Sequence, residues 1–181
     1  PLGVALLQAL REMPNVETHL VMSKWAKTTI ELETPYSARD VAALADFSHN
    51  PADQAAIISS GSFRTDGMIV IPCSMKTLAG IRAGYADGLV GRAADACSKK
   101  AANWCWCRVK CRLAPSISKY ARTSRMGVAM VPPMPAFYNH PETVDDIVHH
   151  VVAACWINLA SNIPTPGAGK DCRRPGIFSG E

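Results

Sequence analysis

Three short apolar runs, separated by segments of helical periodicity, limit what this chain can fold into. Residues 18–22 read THLVM, residues 68–71 read MIVI and residues 127–131 read GVAMV. None keeps a sustained in–out alternation, so none can line a sheet with one wet face. Strands apolar on both sides belong to parallel sheets covered by helices above and below. The intervening segments supply those helices. Residues 2–13 (LGVALLQALREM) carry apolar residues at helical spacing. Ser23 stands at an N-cap position before KWAKTTIELE, which Pro35 stops. SARDVAALA is a short helix from Ser37, and DFSHNPAD reads as loop. Pro72 ends the second run, SMKTLAGIRAG enters a helix, and DGLVGRAAD forms another. PPMP closes the third run, and Thr143 caps TVDDIVHHVV through Val152, with Asp146 at its third position. The expected fold is α/β: a three-layer Rossmann-like, flavodoxin-like parallel sheet with helices on both faces. The 181 residues make one domain, 1–181.

In such sheets ligands bind beyond the carboxyl ends of the strands. The residues expected there are Ser23, the segment PCSMKT and the segment PPMPAFY. Small hydroxyl residues and backbone N–H groups at helix starts suit a phosphate. Each also has a plainer reading. Ser23 is an N-cap, Glu33 an exposed helix carboxylate, PCSMKT a strand-to-helix loop, Tyr138 a packing residue and Cys73 a buried thiol. His149 and His150 are adjacent, so they cannot serve as an i, i+4 metal pair, and they read as ordinary helix residues.

The formal charge is +4, but it is local. Residues 96–125 hold eight Lys or Arg and no acid, and the rest of the chain is 11 basic against 15 acidic. A nucleic-acid partner is not expected. No run reaches the roughly 18 apolar residues of a membrane span, so none is expected. With no signal peptide, the cytoplasm is the default expectation.

The cysteines are as uneven as the charge. Cys97, Cys105, Cys107 and Cys111 share the basic tract, and Cys155 and Cys172 lie near the end. The stretch NWCWCRVKC admits two readings. Its Cys-x-Cys-x3-Cys spacing could hold zinc, although structural sites want four ligands, usually in spaced pairs. Alternatively, it is read out of frame. Asn-Trp-Cys-Trp-Cys-Arg requires AAY TGG TGY TGG TGY CGN, and starting at the third nucleotide yields Leu-Val-Leu-Val, then Pro or Ser. That is a buried strand where the architecture needs one. Residues 154–159 (ACWINL) shift likewise to a permitted Val-Leu-Asp-Gln-Phe, which extends the preceding helix. Tracts of about 96–125 and 154–181 are therefore expected to be frame-shifted.

SKWAKTTIELET, PCSMKTLAGIRAGYADGLVGRAAD and PPMPAFYNHPETVDD together resemble the UbiX-type flavin prenyltransferases, formerly described as phenylacrylic acid or 3-octaprenyl-4-hydroxybenzoate decarboxylases. The resemblance covers residues 1–95 and about 127–153. The shifted Leu-Val-Leu-Val-Pro-Arg-Glu-Met-Pro is similar to the family's next motif. The resemblance implies reduced FMN as substrate, no metal, and a homo-oligomer, usually a dodecamer. It implies that dimethylallyl phosphate alkylates FMN at N5, that a ring closes onto C6, and that prenylated FMN passes to a UbiD-type decarboxylase. It also assigns residues. Ser23 matches a flavin-contacting serine, and Ser74, Met75, Lys76 and Thr77 match the second flavin loop. Glu33 matches an acid–base glutamate near N5, and Tyr138 matches a tyrosine that binds the prenyl phosphate. Lys99 and Arg108 stand near the family's catalytic lysine and flavin-contacting arginine, inside the shifted tract. The family's first strand and Gly-rich flavin loop would precede Pro1, and its late phosphate-binding arginine is not recognisable in the tail. Two other functions stay open: direct decarboxylation of an aromatic or cysteinyl acid, and a non-catalytic flavin-binding subunit.

Overall fold

The computed structural model describes residues 1–99, 103–108 and 128–160, with the backbone alone for 103–108. The elements run α1 (Leu2–Arg11), β1 (His19–Val21), α2 (Lys24–Glu33), α3 (Ala38–Ala42), β2 (Phe47–His49), β3 (Gly67–Cys73), α4 (Met75–Arg82), α5 (Leu89–Ser98), β4 (Asn103–Arg108), β5 (Val128–Val131) and α6 (Val144–Ala160). Among the described residues every strand pairing is parallel. β1 pairs with β2, and β4 lies between β3 and β5.

The three-stranded sheet is covered on both faces, as its unalternating strands require. On one face Val70, Cys73 and Val128 pack against Leu78 of α4 and Ala94 and Cys97 of α5. On the other, Ile69, Ile71 and Val131 meet Leu2 of α1 and Val151 and Cys155 of α6. The same helices reach β1. Val4 and Leu7 of α1 pack with Leu20 and Met22, while Leu89 and Ala93 of α5 share a cluster with Val21 and Met68. α1 lies so close to β3 that a Cβ on Gly3 would stand 3.2 Å from the Ile71 carbonyl oxygen.

Side chains settle the helix starts. Ser23, Ser37 and Ser74 each accept a bond from a first-turn N–H: from Ala26 at 3.2 Å, Asp40 at 3.1 Å and Thr77 at 3.1 Å. Asp40 returns the bond to the Ser37 N–H, closing a capping box. Thr143 and Asp146 do the same for α6. Such caps contribute about 1 kcal/mol each relative to alanine.

Four expectations need correction. DFSH is not all loop, because Phe47–His49 pairs with His19–Val21. The short strand escapes a search for apolar runs because tertiary contacts hold it. Thr18 donates its N–H and its hydroxyl to Asp46 Oδ2 at 2.7 and 2.8 Å, and Phe47 N–H bonds the Thr18 carbonyl. β3 does not end at Pro72 but runs to Cys73, with its register slipping between Val70 and Cys73. Proline has no N–H for the ladder, so the sheet yields there without breaking. The literal tract, whose composition shows no clear strand, nevertheless carries one at Asn103–Arg108. Finally, α6 continues past Val152 to Ala160, burying Val151, Cys155 and Leu159 along one stripe. Expectations for residues 109–127 and 161–181, and the side chains of Cys105, Cys107 and Cys111, lie outside the described residues.

β1 and β2 are also tied through histidines. His49 Nε2 lies 2.9 Å from His19 Nδ1, and His19 Nε2 lies 3.0 Å from Glu17 Oε1. The two imidazoles stack at 5.2 Å, and Phe47 stacks on His19 at 4.8 Å. Burial, then the neighbouring His19, holds His49 below the usual histidine range, against an opposing pull from Asp53.

Two measurements follow. Leu89 is fully buried, so Leu89→Ala removes packing from the cluster that joins α5 to β1 and should cost about 3 kcal/mol in urea unfolding. The folded state favours neutral His49, whereas the unfolded chain takes up a proton near pH 6.5. This contribution is complete above that pH and is lost as pH falls below it. The urea midpoint should drop between pH 7.5 and 5.5, and His49→Asn should flatten that drop.

Candidate functional site

Parallel pairing sends consecutive strand ends to a common edge, and the sequence places hydroxyls and cations there. β3 ends on buried Cys73, and exposed Ser74 follows in extended backbone (φ −73°, ψ 156°) as the cap of α4. Its Oγ also lies 3.0 Å from Thr77 Oγ1, so two hydroxyls meet in the first turn of the helix. Met75 and Lys76 are exposed beside them. Arg108 ends β4 in register with Cys73, so its backbone adjoins the Ser74 turn. From β5 the chain leaves the same edge through residues 132–136 into a 3-10 turn, Phe137–Asn139, which carries Tyr138, a residue 76% exposed. Ser23 occupies the matching place in the neighbouring sheet: β1 ends, Met22 is buried and Ser23 caps α2.

This arrangement has a definite chemistry. A helix start presents N–H groups without intrahelical partners and the positive end of the helix dipole. A capping hydroxyl that accepts one N–H keeps its own proton to donate. Ser23 therefore offers a donor without charge, the Ser74–Thr77 pair offers one more because one of its two protons lies between the two oxygens, and Lys76 adds a cation. These groups suit a phosphate-bearing ligand, as FMN is.

The fold does not bring every expected residue to that edge. Glu33 is the last residue of α2, which starts at Ser23. At about 1.5 Å per residue, the ten-residue helix carries Glu33 roughly 15 Å along the axis from its cap. Its carboxylate is exposed. Lys99 is bonded to Asp95 at 2.8 Å, just past the end of α5 and before β4 begins, not at the strand ends.

One group at the site has no signal in the sequence. The Tyr138 ring stands edge-on to His150 of α6, with centroids 5.9 Å apart and planes at 86°. The Asn139 side-chain amide donates to His150 Nδ1 at 2.7 Å. Eleven residues separate Asn139 from His150, and no local pattern joins them. An open cleft of about 430 Å³ lies beside this turn, lined in part by Glu142, Asp146 and His150. Bonds from Thr143 hold the Asp146 carboxyl below its usual range and so keep it ionised. Two carboxylates repel a phosphate, so this cleft is a poor seat for one.

The Flavoprotein family profile matches residues 3–154. A "Probable UbiX-like flavin prenyltransferase" of Escherichia coli O111:H- is 82% identical over 154 residues, covering 84% of this chain and 78% of its own length. A crystal structure described as a dodecameric FMN-dependent UbiX-like decarboxylase from Escherichia coli O157:H7 superposes with a TM-score of 0.86. It is 74% identical, over 94% of this chain and 93% of that one. An AnUbiX structure in complex with FMN and dimethylallyl pyrophosphate gives a TM-score of 0.82 at 44% identity, over 88% of this chain and 85% of that one. With the phosphate-suited turns at the strand ends and these matches over most of its length, the chain belongs to the UbiX-type flavin prenyltransferases of the flavoprotein family.

Proposed function

We propose that this chain transfers the dimethylallyl group of dimethylallyl phosphate to reduced FMN, at N5 and then C6, for use by a UbiD-type decarboxylase. The observation that carries the reading is the shared edge where Ser74, Thr77, Arg108 and the Tyr138 turn follow parallel strands. Reduced FMN supplies the nucleophilic nitrogen. The chain's residues do the rest. Ser23, Ser74, Met75, Lys76 and Thr77 hold the flavin, and Arg108 joins them in the literal frame. The Tyr138 phenol donates a hydrogen bond to the prenyl phosphate, whose C–O bond breaks as the new C–N bond forms and phosphate leaves. Resemblance, and not its place at the far end of α2, is what supports Glu33 as the group that takes or returns the proton displaced at the ring. Function as a homododecamer accords with the E. coli O157:H7 relative. Among the described residues no helix is long and apolar enough to cross a membrane.

Removing one hydrogen bond to phosphate costs about 1.5 kcal/mol, or about tenfold. Tyr138→Phe should raise KM for dimethylallyl phosphate by about that factor. Glu33→Gln should bind reduced FMN normally and form little prenylated product. Unchanged turnover would remove Glu33 from the chemistry. Direct decarboxylation draws support from the description of the same E. coli relative. Carbon dioxide release from an aromatic acid by this chain alone would select it.

We also infer that about 96–125 and 154–181 are read out of frame. The family match ends at residue 154, where the second shift is placed, although it spans the first. In α6, Cys155 and Leu159 face inward, while Ile157 and Asn158 face water. The shifted Val-Leu-Asp-Gln-Phe, laid on positions 155–159, turns Val and Phe inward and Asp and Gln outward. β4 has a strand on either side, a place that favours the shifted Leu-Val-Leu-Val over Trp-Cys-Trp-Cys. A peptide mass map of the purified protein should recover Leu-Val-Leu-Val-Pro-Arg-Glu. Recovery of Trp-Cys-Trp-Cys would refute the shift and call for a zinc assay.

A further inference from the structure

We infer that His150 is the positioning residue for the Tyr138 phenol, so that α6 orients a group of the prenyl-phosphate site without itself seating the phosphate. The inference rests on the reading of Tyr138 given above. Tyr138 lies in a three-residue 3-10 turn whose three side chains are all exposed. The turn ends at His140 in the left-handed region (φ 51°), where the chain swings toward α6. So exposed a ring has little packing of its own to set its direction.

Two contacts supply that direction, and both converge on one imidazole. The edge-on contact at 5.9 Å limits the tilt of the tyrosine ring. The Asn139 amide bond to Nδ1, at 2.7 Å, locks the imidazole and pulls in the residue next to Tyr138. His150 is itself half-buried and is followed by Val151 and Val152, both buried. Its backbone therefore belongs to a rigid helix face, while the phenol it guides stands in water. A phenol ordered before the substrate arrives loses less freedom on binding, which strengthens binding without a new contact to phosphate. The adjacent His149 is exposed and makes neither contact, so it is an internal control.

The test measures affinity without turnover, by calorimetry of dimethylallyl phosphate with protein loaded with oxidised FMN. His150→Ala should weaken this binding about five- to tenfold, with FMN affinity and Tm unchanged. His150→Phe, which restores a ring edge, should recover part of the loss. Asn139→Ala should fall between, and His149→Ala should match the wild type. In turnover with reduced FMN, His150→Ala should raise KM for dimethylallyl phosphate more than it lowers kcat. Wild-type affinity in His150→Ala, beside weakened binding in Tyr138→Phe, would overturn the inference and leave the proposed function standing. If both variants bind like the wild type, Tyr138 does not hold the phosphate and the inference falls with it. Equal losses of FMN affinity and Tm in the Ala and Phe variants would also overturn it, by making His150 a purely structural residue.

Discussion

The parallel ladder of β3, β4 and β5 is the constraint on which the rest depends. Parallel strands cannot be joined by tight turns, so each return passes through a crossover, usually helical, that covers a face of the sheet. Both faces are thereby buried, which demands strands apolar throughout, and helices fill the layers on either side. The same geometry sends strand ends to one edge. Ser74 follows the end of β3 beside the backbone of Arg108, and β5 ends at the same edge before the chain runs on to the Tyr138 turn.

The polar chemistry of that edge comes from groups that already serve the fold. Ser23 and Ser74 are caps first: each completes a helix start that would otherwise leave one more donor unsatisfied. A hydroxyl can accept from the helix and still donate outward, so a cap can face a ligand without being lost to the fold. The N–H groups of the same turns complete the donor set. A flavin phosphate seated there, as proposed, would meet local structure that the helices require in any case.

β4 and the end of α6 show how burial constrains composition. A central strand loses water on both sides, and an internal helix stripe loses it along one. Trp-Cys-Trp-Cys makes an unusual central strand, and an exposed Ile157 beside an inward Cys155 makes a poor continuation of an amphipathic helix. The shifted residues meet both demands, and the argument is the same at each place: the fold sets the polarity a position requires. Tyr138 is a different case. It is exposed, and its order depends on a helix reached only after the chain turns at His140.

What the sequence determined by itself was the class of sheet, most of its helices and the turns that carry the chemistry. Apolar runs without alternation, and hydroxyl residues ahead of helical periodicity, are local signals with local causes, so Ser23 and Thr143 were legible as caps and Ser37 as a helix start, whereas Ser74 was read only as part of a loop entering a helix. Resemblance added roles for Glu33, Arg108 and Tyr138, which the residues alone did not carry. Only the tertiary structure decided β2, the run of β3 through Pro72, the His19–His49 tie and the docking of Tyr138 on His150. Each of these depends on groups distant in the chain, or on how an element lies in the fold. A three-residue strand with no apolar run, or an imidazole eleven residues from its partner, has no period to detect. Such contacts arise only when packing brings the elements together, and for that reason they cannot be read one segment at a time.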